Sequence, residues 1–153
     1  MEKLDARKRY TQMVLKQSFL ELLKEKPVSR ITVKEVCALA QLNRATFYAH
    51  FSDCFALMES IENELIDAFE KSLRYVNSFD VTALIEAIYD MVDQNQEACR
   101  VLILGNTSST VLMRMIALAK EDGIAYWRKE LPNASETELE MMYTHLSNGL
   151  MHV

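Results

Sequence analysis

Six positions in one short stretch, Arg44, Ala45, Thr46, Tyr48, Ala49 and His50, bring together the residue types that bind a nucleic-acid duplex. They supply a permanent cation, a titratable imidazole, a hydroxyl, a phenol and two small side chains. Hydroxyls, Arg and His can donate to phosphate oxygens, and small residues let a backbone approach base edges. That chemistry requires all six to lie on one side of one rigid element. Phe47 and Phe51, four residues apart, supply the opposite side. Asn43 is a good cap for a helix running from Arg44 to about Phe51, because its side chain accepts from the first free backbone donors.

A helix this short needs a partner to hold it, and the preceding residues provide one. Thr32 followed three residues later by Glu35 is a capping box, which predicts a helix from Val33 to about Ala40. Val33, Val36, Cys37 and Ala40 form its apolar stripe, Gln41 and Leu42 form the turn, and Phe47 and Phe51 complete a small core. Two short helices so closely joined have the geometry of a helix-turn-helix.

The run ITVKEVCALAQLNRATFYAHFSD closely resembles the N-terminal DNA-binding segment of the tetracycline repressor (TetR) family of bacterial regulators. The likeness spans Tyr10 to Met58, and TFYAHF with its upstream spacing is the specific part. The resemblance implies that Thr46, Tyr48 and His50 hold phosphates and that Arg44, Ala45 and Ala49 lie at or near base edges. Thr32 belongs to the same expected DNA-binding set, while Phe47 and Phe51 pack inward. One position departs from the family pattern: where a phosphate-gripping Lys usually opens the fourth helix, this chain has Cys54. One electrostatic contact is thereby lost.

Composition is consistent with such a protein. Half of the 153 residues are hydrophobic and only two Pro and three Gly interrupt them, which predicts an all-α chain with a sizeable core. The net charge of −5 argues at first against a nucleic-acid partner, but its distribution reverses that inference. Residues 1–51 hold ten Lys/Arg against five Asp/Glu, a balance of +5, and the remainder carries −10. A basic head on an acidic body places the attractive field at the six residues. Cys37, Cys54 and Cys99 are odd in number and lack metal-ligand spacing, as expected of free thiols in a reduced compartment. No apolar run approaches a membrane span and MEKLDARKRY lacks a signal-peptide core, so a cytoplasmic location is expected.

Around the central pair, the pattern predicts a first helix from Asp5 to Glu25 with Tyr10, Met13, Val14, Gln17, Leu20 and Leu23 inward, ended by Pro27. A long helix from Asp53 to about Val76 follows, with Phe55, Met58, Ile61, Leu65, Phe69 and Leu73 on its stripe. Next come Val81 to Asp93, with Leu84, Ile85, Ile88, Met91 and Val92 on one face, and Asn95 to Leu104, stopped by Gly105-Asn106. Thr107 or Ser108 caps a helix to about Leu131 with Leu112, Met115, Ile116, Ala119, Tyr126 and Trp127 inward or interfacial. A second capping box at Ser135 and Glu138 opens the last helix, with Leu139, Met142, Tyr143, Leu146 and Leu150 apolar. Asn148-Gly149 is an ambiguous stop, because Leu150, Met151 and Val153 continue the stripe. Against the family pattern, whose last two helices form a four-helix dimer interface, the chain reads as truncated near those helices.

The expected architecture is therefore a three-helix DNA-binding head, residues 1–52, and a helical regulatory and dimerisation body, residues 53–153. Tyr75, Tyr89, Met115, Tyr126, Trp127 and Tyr143 are candidates for an apolar effector pocket, although core packing explains each equally well. His145 and His152 lie seven apart, too far for the usual one-turn pair of ligands, so no metal or cofactor is expected. No phosphate loop, nucleophile elbow or catalytic carboxylate pair is present, and an enzyme is not expected. The function read from the chain is a homodimeric regulator on a palindromic double-stranded operator, by default a repressor released by a small-molecule or protein effector. A helical protein-interaction module with a weakened head is the alternative.

Overall fold

The computed structural model describes residues 2–74, 81–105 and 110–150, except for the side chains of residues 2–5, 81, 84 and 150. Its described residues form eight α-helices and no strand: α1 (Glu2–Glu25), α2 (Val33–Ala40), α3 (Arg44–Tyr48), α4 (Cys54–Leu73), α5 (Val81–Gln94), α6 (Gln96–Leu102), α7 (Thr110–Glu130) and α8 (Glu136–Leu150). The all-α expectation is met. Two compact units divide the chain, one of residues 1–64 with 97–107 and the other of residues 65–96 with 108–153. The boundary in α4 falls between Glu64 and Leu65, so the first unit takes in more than the head expected from the sequence.

In the first unit, α1 stops before Pro27, which has no backbone N–H and sits extended at φ −66° and ψ 153°. A single 3-10 turn, Val28–Arg30, follows and was not anticipated; Arg30 and Ile31 donate to the Pro27 and Val28 carbonyls. The inward face of α1 is rotated from the expected stripe. Leu15, Phe19 and Leu23 are buried with Leu20, whereas Tyr10, Met13 and Gln17 are exposed. The four-residue step from Leu15 to Phe19 buries two large apolar side chains in line, and burial of that area sets the rotation. In α4 the same correction applies to its first turn: Cys54 and Leu57 face inward and Phe55 is 59% exposed. The distant segment α6 belongs to this unit and contributes Cys99, Val101 and Leu102 to the buried set.

The second unit holds the C-terminal half of α4 with α5, α7 and α8. Buried Ser72 donates its hydroxyl to the Ala68 and Ala87 carbonyls, at 3.3 and 3.2 Å, and so ties α4 to α5 without stranding a polar group. The capping box expected for the last helix is present: the Ser135 N–H and hydroxyl both donate to Glu138 Oε2 at 2.8 Å, and Glu138 N–H donates to Ser135 Oγ. Leu139 is fully buried and the Tyr143 hydroxyl donates to the Ile116 carbonyl, joining α8 to α7. Asn148-Gly149 does not end α8. Several expected inward positions are instead exposed, namely Ile85 and Val92 on α5 and Met142 and Leu146 on α8. Helix α4 spans Cys54–Leu73, and Val76, the end expected for it, lies outside the described residues. The caps expected at Thr107 and Ser108 lie outside the described residues, as do Met151 and Val153. No helix among the described residues is long and apolar enough to cross a membrane.

Candidate nucleic-acid interface

The capping box that opens α2 is complete. Thr32 Oγ1 accepts from Glu35 N–H, while the Thr32 N–H and hydroxyl donate to Glu35 Oε2 at 2.9 and 2.8 Å. Lys26 Nζ donates to the other carboxylate oxygen at 2.5 Å. Held by the Lys26 ammonium first, then by the Thr32 hydroxyl and backbone N–H, the Glu35 carboxyl falls to about 2. Both donors of Thr32 are thus engaged within the protein. Its side chain caps the start of α2.

The end of α2 sets the angle at which α3 leaves. Gln41 adopts the left-handed conformation, φ 54° and ψ 38°, the only positive φ of a non-glycine residue among those described. Gln41 N–H donates to the Ala38 carbonyl at 3.3 Å and Leu42 N–H to the Cys37 carbonyl at 2.9 Å. This paired closure is the Schellman arrangement, which satisfies the last carbonyls of a helix while reversing its direction. Asn43 then opens α3 as expected: its Oδ1 accepts from Thr46 N–H at 2.7 Å and from the Thr46 hydroxyl at 3.0 Å. That bond uses the one proton of the Thr46 hydroxyl.

Helix α3 is shorter than expected, five residues ending at Tyr48 instead of running to Phe51. Ala49 keeps right-handed geometry, but His50 and Phe51 N–H both donate to the Phe47 carbonyl at 2.9 Å, a tightening that closes the helix. Phe47 is fully buried and Phe51 nearly so, with ring centroids 6.0 Å apart. These two anchors press the segment onto the core. Arg44, Ala45, Tyr48 and Ala49 are exposed, and Thr46 is half-buried. The Arg44 Nη2 donates to the Tyr48 hydroxyl at 3.3 Å, and its Cζ lies 5.8 Å from the centroid of the Tyr48 ring.

His50 is half-buried, and its Nδ1 is buried without a hydrogen-bond partner among the described residues. Cys54, at the position of the family's Lys, is buried, and burial pushes its thiol up, reinforced by the Asp53 carboxylate. A neutral buried thiol carries no charge to a phosphate. Asp53 itself caps α4, its Oδ1 accepting from Ala56 N–H at 2.8 Å.

Charge in this unit is selectively free. Lys16, Lys24 and Lys26 are paired with Glu64, with Glu21 and Glu97, and with Glu35. Arg7, Lys8, Arg9, Arg30 and Lys34 are exposed and make no ion pair among the described residues. Arg30 and Lys34 flank the start of α2.

Of the expected effector-pocket residues, Tyr75 lies outside the described residues and Tyr89 is 73% exposed on α5. Met115 is buried, and Tyr126, Trp127 and Tyr143 are half-buried, with the Trp127 and Tyr143 rings 6.1 Å apart. None of the described five lines the open groove of about 900 Å³ beside the α7–α8 connection, which is formed chiefly by Leu131, Pro132, Met141, Met142, His145 and Leu146. No group of three or more His, Cys, Asp or Glu residues with metal-binding placement occurs among the described residues.

No family model matches the sequence. The chain is similar to the uncharacterized HTH-type transcriptional regulator YxbF of Bacillus subtilis (strain 168), 29% identical over 59 residues. That alignment covers 39% of this chain and only 16% of the relative's length. The structure is similar to the crystal structure of a TetR transcriptional regulator from Streptococcus agalactiae 2603V, with a TM-score of 0.63 at 22% identity, covering 97% of this chain and 85% of that one. The fold is therefore the one expected from the resemblance in sequence.

Proposed function

We propose that this chain, which has the fold of the TetR transcriptional regulators, is itself a regulator of that kind and binds double-stranded DNA through α2 and α3. The observation that carries the reading is the division of α3 into two sides. Phe47 is fully buried, while Arg44 and Tyr48, one turn apart, are exposed and joined to each other. Buried aromatics fix the helix, and what remains outside is a cation, a phenol and two Ala small enough for close approach to a groove.

In this reading residues 1–52 act as the DNA-binding head and the chain from residue 53 as the regulatory and dimerisation body. A homodimer presents two α3 helices to successive major grooves about 34 Å apart on a two-fold symmetric operator. An effector bound in the body, among Met115, Tyr126, Trp127 and Tyr143, favours a conformation whose heads no longer match the operator. Repression relieved by the effector is the default sense, and the protein acts in the cytoplasm, where its thiols stay reduced.

Selection of duplexes from a random pool by the full chain, followed by a salt titration on the selected duplex, tests the reading. A palindromic winner is expected, with affinity that falls steeply and log-linearly with salt. His50→Ala should weaken binding broadly across sequences, and Tyr48→Ala should weaken binding to the selected duplex. If no duplex is enriched and none binds even at low salt, the helical protein-interaction module takes its place.

A further inference from the structure

Arg44 and Tyr48 are the two exposed side chains on α3 long enough to reach beyond its own surface, and they are not independent. Side chains on a helix lean toward its N-terminus, so Tyr48 lies back over the turn that Arg44 occupies. Its ring makes an edge-to-face contact with fully buried Phe47, whose centroid is 5.6 Å away with the two planes at 85°. The guanidinium carbon lies 5.8 Å from the ring centroid, and the guanidinium donates one N–H to the phenol oxygen at 3.3 Å.

We propose that Tyr48 is a positioning residue for Arg44 and thereby sets base specificity, its ring and phenol oxygen holding the guanidinium in the pose from which it reads a base pair. This deepens the DNA-binding reading above and rests on it. The chemistry of the two groups is compatible with both tasks at once. A guanidinium has five N–H donors and spends one on Tyr48, leaving the others for the acceptors of a base edge. A phenol oxygen that accepts from Arg44 still has its own proton to donate to a phosphate. Accepting one bond polarises the hydroxyl toward giving the next. A free Arg side chain would have to order several torsions on binding, whereas one already fixed by a ring and a hydrogen bond has fewer left to lose.

The test uses the full chain and the duplex it selects, with each base pair of a half-site substituted in turn. The measured quantity is the specificity ratio, affinity for the selected duplex over affinity for the substituted one. Arg44→Ala should flatten that ratio by ~10-fold or more at one base pair of each half-site. Tyr48→Phe, which keeps the ring and its packing on Phe47, should lower the ratio at that same base pair by about 3-fold or more. In the Arg44→Ala background, Tyr48→Phe should leave the ratio unchanged while lowering affinity for both duplexes alike. A merely structural or phosphate-holding Tyr48 would lower both affinities equally in either background, and that result overturns the proposal. So does an Arg44→Ala variant that keeps every ratio. Failure of the wild-type chain to enrich any duplex overturns the DNA-binding reading and this inference with it, whereas enrichment with an unaltered Tyr48→Phe ratio overturns this inference alone.

Discussion

At the scale of single residues, Glu35 joins three groups that would otherwise act apart: the Lys26 ammonium and the hydroxyl and N–H of Thr32. Its carboxyl sits at about 2 against an ordinary 4.5. Because the folded value is the lower one, this arrangement stabilises the fold fully above about pH 4.5 and the contribution is lost as pH falls through about 2. Glu35→Gln should therefore melt earlier than wild type at neutral pH, with the gap closing as pH falls through that window. A gap that stays constant down to pH 2 would show that the carboxylate is not responsible. Cys37, Cys54 and Cys99 lead to a different expectation. Burial pushes all three thiols up, which keeps them protonated and unreactive. A thiol reagent should label the folded chain slowly and reach three groups per chain only after denaturation.

At the scale of elements, the strongest expectations concern the points where helices begin and end. Gln41 occupies the left-handed position that usually belongs to Gly. Gln41→Gly should be neutral or stabilise by up to ~1 kcal/mol, whereas Gln41→Val should cost about 1–2 kcal/mol in a denaturant titration. Asn43→Ala removes the acceptor for two donors of Thr46 and should cost ~1 kcal/mol. It should also weaken the DNA binding proposed above, since α3 has only five residues to hold its own shape. Gly123 in α7 presents the opposite case. A methyl group there would meet the Tyr143 ring at 3.4 Å, an ordinary contact, so Gly123→Ala should gain up to ~1 kcal/mol from helix propensity. A loss of stability would mean that Tyr143 must move, which would break its hydrogen bond to the Ile116 carbonyl.

At the scale of the whole molecule, the basic and acidic halves of the sequence do not coincide with the two compact units. The first unit takes in α6, where Leu102 is almost fully buried although it lies far along the chain from the helix-turn-helix. Leu102→Ala should cost about 2–5 kcal/mol and should destabilise a unit that also carries α2 and α3. Trp127, the sole Trp of the chain, lies in the second unit beside Tyr143. Its fluorescence should respond to an effector bound among those residues, and a bound effector that leaves it unchanged would place the pocket elsewhere.

The sequence by itself determined the local events, because each depends on a few neighbouring residues. Thr32 with Glu35, Asn43 with Thr46, and Ser135 with Glu138 are caps whose donors and acceptors lie within four positions, and all three formed as their spacing implied. Helix α2 kept its expected bounds, and the alternation of Phe47 and Phe51 with polar neighbours identified the inward side of the next segment. Tertiary structure alone decided rotations and memberships. Whether Leu15 or Tyr10, Cys54 or Phe55 turns inward depends on which neighbouring element removes more apolar area from water, and periodicity leaves that choice open. The closing of α3 at Tyr48, the burial of His50 Nδ1 and the inclusion of α6 in the first unit are likewise set in the tertiary structure. The Arg44–Tyr48 pair lies between the two regimes. Its four-residue spacing allowed the contact, but the edge-to-face contact of the Tyr48 ring with buried Phe47 belongs to the tertiary structure.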